Sequence, residues 1–338
     1  MYMAERDSSK YYTSDNTSTV AISNAGFVSR DAVSGRMTFQ ESAAHESIDL
    51  GYSISTTENH TILSCVLSNF GVFVMHESNG RLTRLGRGTA PSFLQTDETA
   101  ETTRISACSY GSSIIIGAGK FVILRTLMSS MIVDFDANTI KPIDIGDRSI
   151  VTYLSENTLV EFDPAITTVT ELDVVTGTKM SKKLIVPVEL NAYSWTMALG
   201  FGTRRRVAVV ARMPCDTTAV TDTVVIVYNY HYECIGAIRI ACIADIADTF
   251  NETLAVMTFY GEFVQIDTNT MVSKTISRIS DILVAPKNNY AASTVLSVIG
   301  RDLVVYASTL GLGLGKDTCG LYRVFPGGFC GGALEEQQ

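Results

Sequence analysis

Apolar, β-branched runs recur along most of the chain. Residues 113–116, 183–186, 223–227 and 302–306 are examples, each bounded by Gly, Asn, Asp or Pro. That is the pattern of strands divided by turns. The runs are apolar at successive positions rather than at alternate ones, which predicts strands covered on both faces. No window sustains a helical period beyond one or two turns. Residues 240–254 come nearest, and Thr and Asn interrupt them. The reading from residue 25 onward is therefore all-β.

A short phrase returns within this pattern: a strand-like run, then Asp or a substitute, then Thr, Ser or Asn, often with Gly. It reads Phe27-Val28-Ser29-Arg30-Asp31-Ala32-Val33-Ser34-Gly35-Arg36 and again Val72-Phe73-Val74-Met75-His76-Glu77-Ser78-Asn79-Gly80-Arg81. Further copies centre on Asp136, Asp163, Asp173, Asn229 and Asp267. Asp and Asn bond their own backbone two residues on, and Gly supplies positive φ, so each copy predicts a tight hairpin. The interval is roughly 40–50 residues with one longer gap, which marks an architecture of repeated units. A thin unit cannot bury both of its faces alone, whereas a stack of such units can. Six or seven units of about four strands predict a β-propeller over residues 25–326. Residues 1–24, polar and carrying Tyr2, Tyr11 and Tyr12, are expected to form an extended N-terminal arm, and residues 327–338 a Gly-rich tail.

Asp31-Ala32-Val33-Ser34-Gly35 and Asp173-Val174-Val175-Thr176-Gly177 resemble the D-x-x-[TS]-G turn of quinoprotein-like and related β-propellers. The resemblance implies the fold and not an activity. Quinoprotein blades carry a Trp after the Gly; the single Trp195 is not placed that way, so no cofactor is carried over. The Gly-His and Trp-Asp pairs of regular WD40 repeats do not recur, and no sialidase Asp-box is present.

Composition narrows the partners. Hydrophobic residues make up 46% and charged residues 18%, below the roughly 25% typical of soluble proteins, which predicts a large core and a surface partly covered by partners. The net charge of -9 argues against a nucleic-acid surface, because that affinity rests on Lys and Arg meeting phosphates. The one basic cluster, Arg204-Arg205-Arg206, follows a Gly-bearing turn and opens a strand, so it reads as a solvated loop or a salt-bridging rim. Seven cysteines without a C-x-x-C pair read as reduced core residues. An apolar leader and a stretch of 18 apolar residues are both missing, so neither secretion through a signal peptide nor a membrane partner is expected.

Catalytic signatures are weak. Leu310-Gly311-Leu312-Gly313-Leu314-Gly315-Lys316-Asp317 lacks the first Gly and the hydroxyl of a phosphate loop. His45, His60, His76 and His231 have no ligand spacing, and Asp134/Asp136 and Asp144/Asp147 lack a calcium-loop ladder. We therefore expect no cofactor, no metal and no catalytic residue. The preferred reading is a non-enzymatic β-propeller that binds protein partners within a large assembly, for instance a bacteriophage virion component, located in a virion or the cytoplasm. Its candidate anchors are Tyr2, Tyr11, Tyr12, Arg204, Arg205, Arg206 and Phe329. The alternatives are a propeller enzyme or glycan binder with its site at the central channel mouth, and an adaptor that docks peptides.

Overall fold

Short turns make each strand pair antiparallel with its neighbour in sequence, and four strands exhaust each sheet. The computed structural model describes residues 10–12, 17–23, 26–31, 33–41, 46–53, 62–68, 71–76, 81–85, 101–104, 114–118, 121–125, 130–134, 137, 139–146, 149–155, 157–163, 167–190, 194–213, 222–249, 252–278, 293–299, 302–308 and 319–325. Among these the chain forms seven four-stranded sheets. It divides into two compact units, Tyr12–Asp147 and Met1–Tyr11 with Arg148–Gln338.

The strand β1 (Lys10–Tyr12) precedes the first sheet. In the unit of residues 12–147, the first sheet holds β2 (Thr17–Ser23), β3 (Gly26–Asp31), β4 (Arg36–Gln40) and β5 (Ile48–Ser53). The second holds β6 (Ile62–Ser68), β7 (Gly71–His76), β8 (Arg81–Leu85) and β9 (Glu101–Arg104). The third holds β10 (Ile114–Ala118), β11 (Phe121–Arg125), β12 (Ser130–Asp134) and β13 (Thr139–Ile143). Pro142 lies on β13, an outermost strand, where a missing N–H breaks no ladder. The leading strands β2, β6 and β10 touch in succession.

In the other unit, the fourth sheet holds β14 (Ile150–Ser155), β15 (Thr158–Asp163), β16 (Thr168–Asp173) and β17 (Lys179–Lys183). The fifth holds β18 (Ser194–Phe201), β19 (Arg206–Arg212), β20 (Thr223–Tyr228) and β21 (Cys234–Arg239). The sixth holds β22 (Ile243–Asp248), β23 (Thr253–Thr258), β24 (Glu262–Asp267) and β25 (Val272–Arg278). The seventh has three late strands, β26 (Ser293–Ile299), β27 (Asp302–Ser308) and β28 (Cys319–Phe325), and β1 supplies its fourth. So residues 10–12 and 17–23, within the segment expected as an arm, are sheet strands.

The continuous apolar runs have their reason here. On β19 and β20, Val207, Val209, Ala211, Val224, Ile226 and Tyr228 face one seam with Val160, Phe162 and Val169 of the fourth sheet. The intervening Ala208, Val210, Val225 and Val227 face a second seam with Leu254, Val256, Val264 and Ile266 of the sixth. A third seam joins Ala255, Met257 and Phe263 to Leu296, Val298, Leu303 and Val305. Period-two alternation is still present, but both faces meet apolar neighbours. Trp195 closes the first seam edge-on against Phe162, ring centroids 6.2 Å apart.

The repeated phrase marks hairpins rather than one fixed place in the sheet. Asp31 turns the second strand of its sheet into the third, whereas Asp173 and Asp267 turn the third into the fourth. The chemistry is shared. Asp31 accepts from the amides of Val33 and Ser34, Asp173 from those of Val175 and Thr176, and Asp267 from those of Asn269 and Thr270. Gly35 and Gly177 then take φ of 71° and 74°. The Ser34 and Thr176 amides hold the Asp31 and Asp173 carboxyls below the ordinary carboxylate range. In the third sheet Asp134 accepts from Ala137, and the expected Asp136 lies outside the described residues.

Leading strands also bond across seams. Gly200 on β18 donates to Thr152 Oγ1 of β14 at 3.1 Å, and a β-carbon at Gly200 would overlap the carbonyl oxygen of Tyr153. On β22 a bulge between Ile243 and Asp245 turns Asp245 toward β26. Leu296 N–H donates to its Oδ2 at 2.7 Å and Ile246 N–H to its Oδ1 at 2.9 Å. Burial pushes the Asp245 carboxyl up to about 6 despite these two amides.

Two outcomes follow from these joints. Gly200→Ala must separate two strand backbones and is expected to cost about 3 kcal/mol, read as a lower urea midpoint. Asp245 binds a proton more readily in the folded chain than in the unfolded one, so its buried charge burdens the fold fully above pH 6. Stability from this group rises by about 3 kcal/mol as pH falls from 6 toward 4. Urea titrations across that window are expected to lose this slope in Asp245→Asn.

Candidate interaction rim

Arg204, Arg205 and Arg206 sit where the turn from β18 enters β19, and the turn aims them in different directions. Gly202 opens it at φ 68° and Arg205 closes it at φ 53°. The left-handed φ at 202 favours glycine, and a β-carbon there would also make the Glu252 carboxylate shift. Arg206 is buried. Its Nη1 donates to Thr268 Oγ1 at 2.6 Å and its Nη2 to Asn269 Oδ1 at 2.8 Å, while Nε lies 3.4 Å from Glu252 Oε2. Glu252 Oε1 accepts from the Arg204 amide and from Thr203 Oγ1, both at 3.1 Å. Thr268 in turn donates from its hydroxyl and its amide to the Glu252 carbonyl, at 2.5 and 3.1 Å. Arg204 stays exposed and reaches Asn269 Oδ1 at 3.1 Å. Arg205 points the other way, to Thr158 of the fourth sheet at 3.4 Å. One turn thus links the fourth, fifth and sixth sheets.

The neighbouring turn, β20 to β21, adds aromatic surface. Asn229 Oδ1 accepts from the amides of His231 and Glu233, at 2.9 and 3.0 Å. Tyr232 points inward, and its hydroxyl donates to Glu171 Oε1 of β16 at 2.5 Å. Burial, and then this carboxylate, raise the Tyr232 phenol well above its ordinary value, with Arg205 opposing them. Lys182 of β17 places its ammonium 5.7 Å from the centre of the Tyr232 ring. Tyr230 points outward, 56% exposed, with its ring stacked on His231 at 3.6 Å between centroids.

Four residues of these turns and their sixth-sheet counterparts hold left-handed backbone without being glycine: Arg205, Tyr232, Glu252 and Met271, at φ 53–64°. Such conformations cost on the order of 1 kcal/mol each and persist where tertiary contacts fix them. Here the contacts are the Arg206–Glu252 pair and the Tyr232–Glu171 bond.

The sequence reading gave the Arg cluster as a solvated loop or a salt-bridging rim and named all three as anchors; the structure leaves Arg204 and Arg205 exposed and buries Arg206 against Glu252, Thr268 and Asn269. Tyr11 and Tyr12 lie on β1, where the backbone alone is described, and Tyr2 and Phe329 lie outside the described residues. So does the glycine-rich stretch 310–317. Glu252, Thr268, Asn269, Tyr230 and Tyr232 were not singled out from sequence. The available signal was the Arg at the first position of an apolar strand, which needs a partner once both faces are covered. Among the described residues no group of acidic, His and Cys side chains is placed to hold a metal, and no helix is long and apolar enough to cross a membrane.

Removing one partner of a buried ion pair strands the other charge. Arg206→Ala is expected to lower unfolding free energy by about 3–5 kcal/mol, whereas Arg204→Ala changes it by less than about 1 kcal/mol. Urea denaturation of the two variants beside the parent chain checks the contrast.

No protein-family model matches this sequence, and neither does any curated protein. Solved structures do resemble it. A streptogramin B lyase structure aligns with TM-score 0.57 at 10% identity, covering 94% of this chain and 96% of that one. YCF48 bound to D1 peptide aligns with TM-score 0.55 at 9% identity, covering 93% and 95%. The WD40 repeats of RRP9 align with TM-score 0.54 at 11% identity, covering 94% and 98%. Together with the succession of four-stranded antiparallel sheets, these likenesses give the chain the fold of a β-propeller.

Proposed function

We propose that this chain is a non-enzymatic interaction β-propeller, a subunit that binds other proteins in a larger assembly through the rim bearing Arg204, Arg205, Tyr230 and His231. The observation that carries the reading is the network that buried Arg206 and Thr268 make with half-buried Glu252 and exposed Asn269, beside exposed Arg and Tyr side chains. Arg and Tyr are the residues most enriched among interface anchors. A turn already fixed by buried bonds loses little conformational freedom on binding, so more of the contact energy appears as affinity. YCF48 is a protein of similar fold whose structure contains a D1 peptide, and it lends the reading an example.

The experiment is sedimentation of the chain in extracts of its native source, beside the purified chain of 36.6 kDa. The native chain is expected in a much heavier species, and a virus-sized particle would give that assembly its identity. Tyr230→Ser combined with Arg205→Ala is expected to release it into the monomer fraction with less than about 1 kcal/mol change in stability. A native chain that already sediments as a monomer would overturn the proposal. So would a double variant that stays in the heavy fraction.

A further inference from the structure

The outermost strand of the fourth sheet, β17, reads Lys179-Met180-Ser181-Lys182-Lys183, and every residue of it is exposed. One edge pairs with β16, and the other carries no strand among the described residues. Half of its amides and carbonyls therefore face outward, the arrangement on which a further strand can build. The lysines stand opposite Leu172, Val169 and Thr168 across the ladder, and Glu171 stands opposite Met180.

Lysines on an edge strand normally block pairing, because a neutral or basic segment must bring its backbone in against their charge. Against an acidic segment the same charges select. In a protein of net charge -9, a strand with three cations among five residues is a local inversion of sign. Strand alternation sorts its side chains: Lys179 and Lys183 share a face, and Met180, 51% exposed, shares the other with Lys182. An antiparallel partner would complement it with carboxylates opposite Lys183, Lys182 and Lys179 and an apolar residue opposite Met180. Beyond the strand end, Ile185 is 74% exposed and offers a further apolar contact.

We propose that the open edge of β17 binds an acidic, extended segment of a partner protein as a fifth strand of the fourth sheet. The proposal deepens the interaction reading and rests on it, but it uses different residues from Arg204, Arg205, Tyr230 and His231. The probe is a dye-labelled peptide with the core Glu-Glu-Thr-Val-Glu, titrated against the full chain by fluorescence anisotropy at 50 and 150 mM salt. Amide hydrogen exchange across residues 179–183 is followed with and without peptide. Saturable binding is expected, with at least tenfold slower exchange in β17. Lys179→Glu with Lys183→Glu should weaken binding at least tenfold while circular dichroism melting is retained. A peptide with Pro at the central Thr should also bind at least tenfold more weakly, since it removes an amide without changing charge.

Equal binding of the Pro peptide, unchanged exchange in β17, or equal competition by a thymidine oligonucleotide would each overturn the proposal. The last would make the strip a general polyanion surface. The outcome is separable from the rim experiment. A peptide that fails to bind a chain still found in its native assembly removes this inference alone. A peptide that binds a chain shown to be monomeric leaves β17 as a docking edge and removes the assembly.

Discussion

A strand that is apolar on both faces cannot stand at the surface of anything. β20 shows the constraint most clearly: all six residues of Thr223–Tyr228 are buried, with Val224, Ile226 and Tyr228 facing the fourth sheet and Val225 and Val227 the sixth. A four-stranded sheet is too thin to meet that demand itself, so neighbouring sheets must close over it from both sides. Each fully buried Val, Ile or Phe contributes about 1.5–3 kcal/mol when withdrawn from water, and the three seams of this unit are built largely of such residues. Against that sum the hydrogen bonds between sheets are small, and their role is placement. Thr152–Gly200 and Asp245–Leu296 fix how one leading strand lies against the next.

The polar turns inherit their rigidity from this packing. The apolar seams set the distance between the fifth and sixth sheets, and Arg206 spans it with two hydrogen bonds and an ion pair. Once Arg206 is fixed, the backbone of Arg204 is fixed as well, because Glu252 serves both. The exposed members of the cluster are thus held by the buried one. An isolated hairpin of the same sequence would have no means of holding Arg205 or Glu252 at positive φ.

The fold was legible because its determinants are local. Continuous apolar runs announce two-sided burial, and an Asp followed by Ser or Thr and Gly announces a hairpin. Both signals sit within a few residues; the first was met at β19 and β20, the second at β3–β4 and β16–β17. The unit boundaries were less legible, since Asp163 ends a second strand and Asp173 a third, yet their sequences look alike. Lys10–Tyr12 gave no strand signal of its own; its order comes from β28, about 310 residues further along the chain. The Arg206 network was illegible for the same reason. Its partners Glu252, Thr268 and Asn269 lie in turns of another sheet, and nothing about a Glu or a Thr in a turn marks it as the partner of one particular Arg.

That asymmetry bears on how a protein of this kind carries function. The seams tolerate little change, because each side chain fills space between two sheets. Exposed side chains of turns and outermost strands lie outside the seams and can vary without disturbing them. Identity of about 10% alongside more than 90% coverage of both chains is what such a division produces. Whatever distinguishes this chain from others of its fold is therefore to be sought where charge departs from the rest of the surface. Two places in the unit of residues 148–338 do so: the Arg turn, whose charge is partly consumed inside the structure, and the Lys strand β17, whose five residues are all exposed at the outermost place in its sheet.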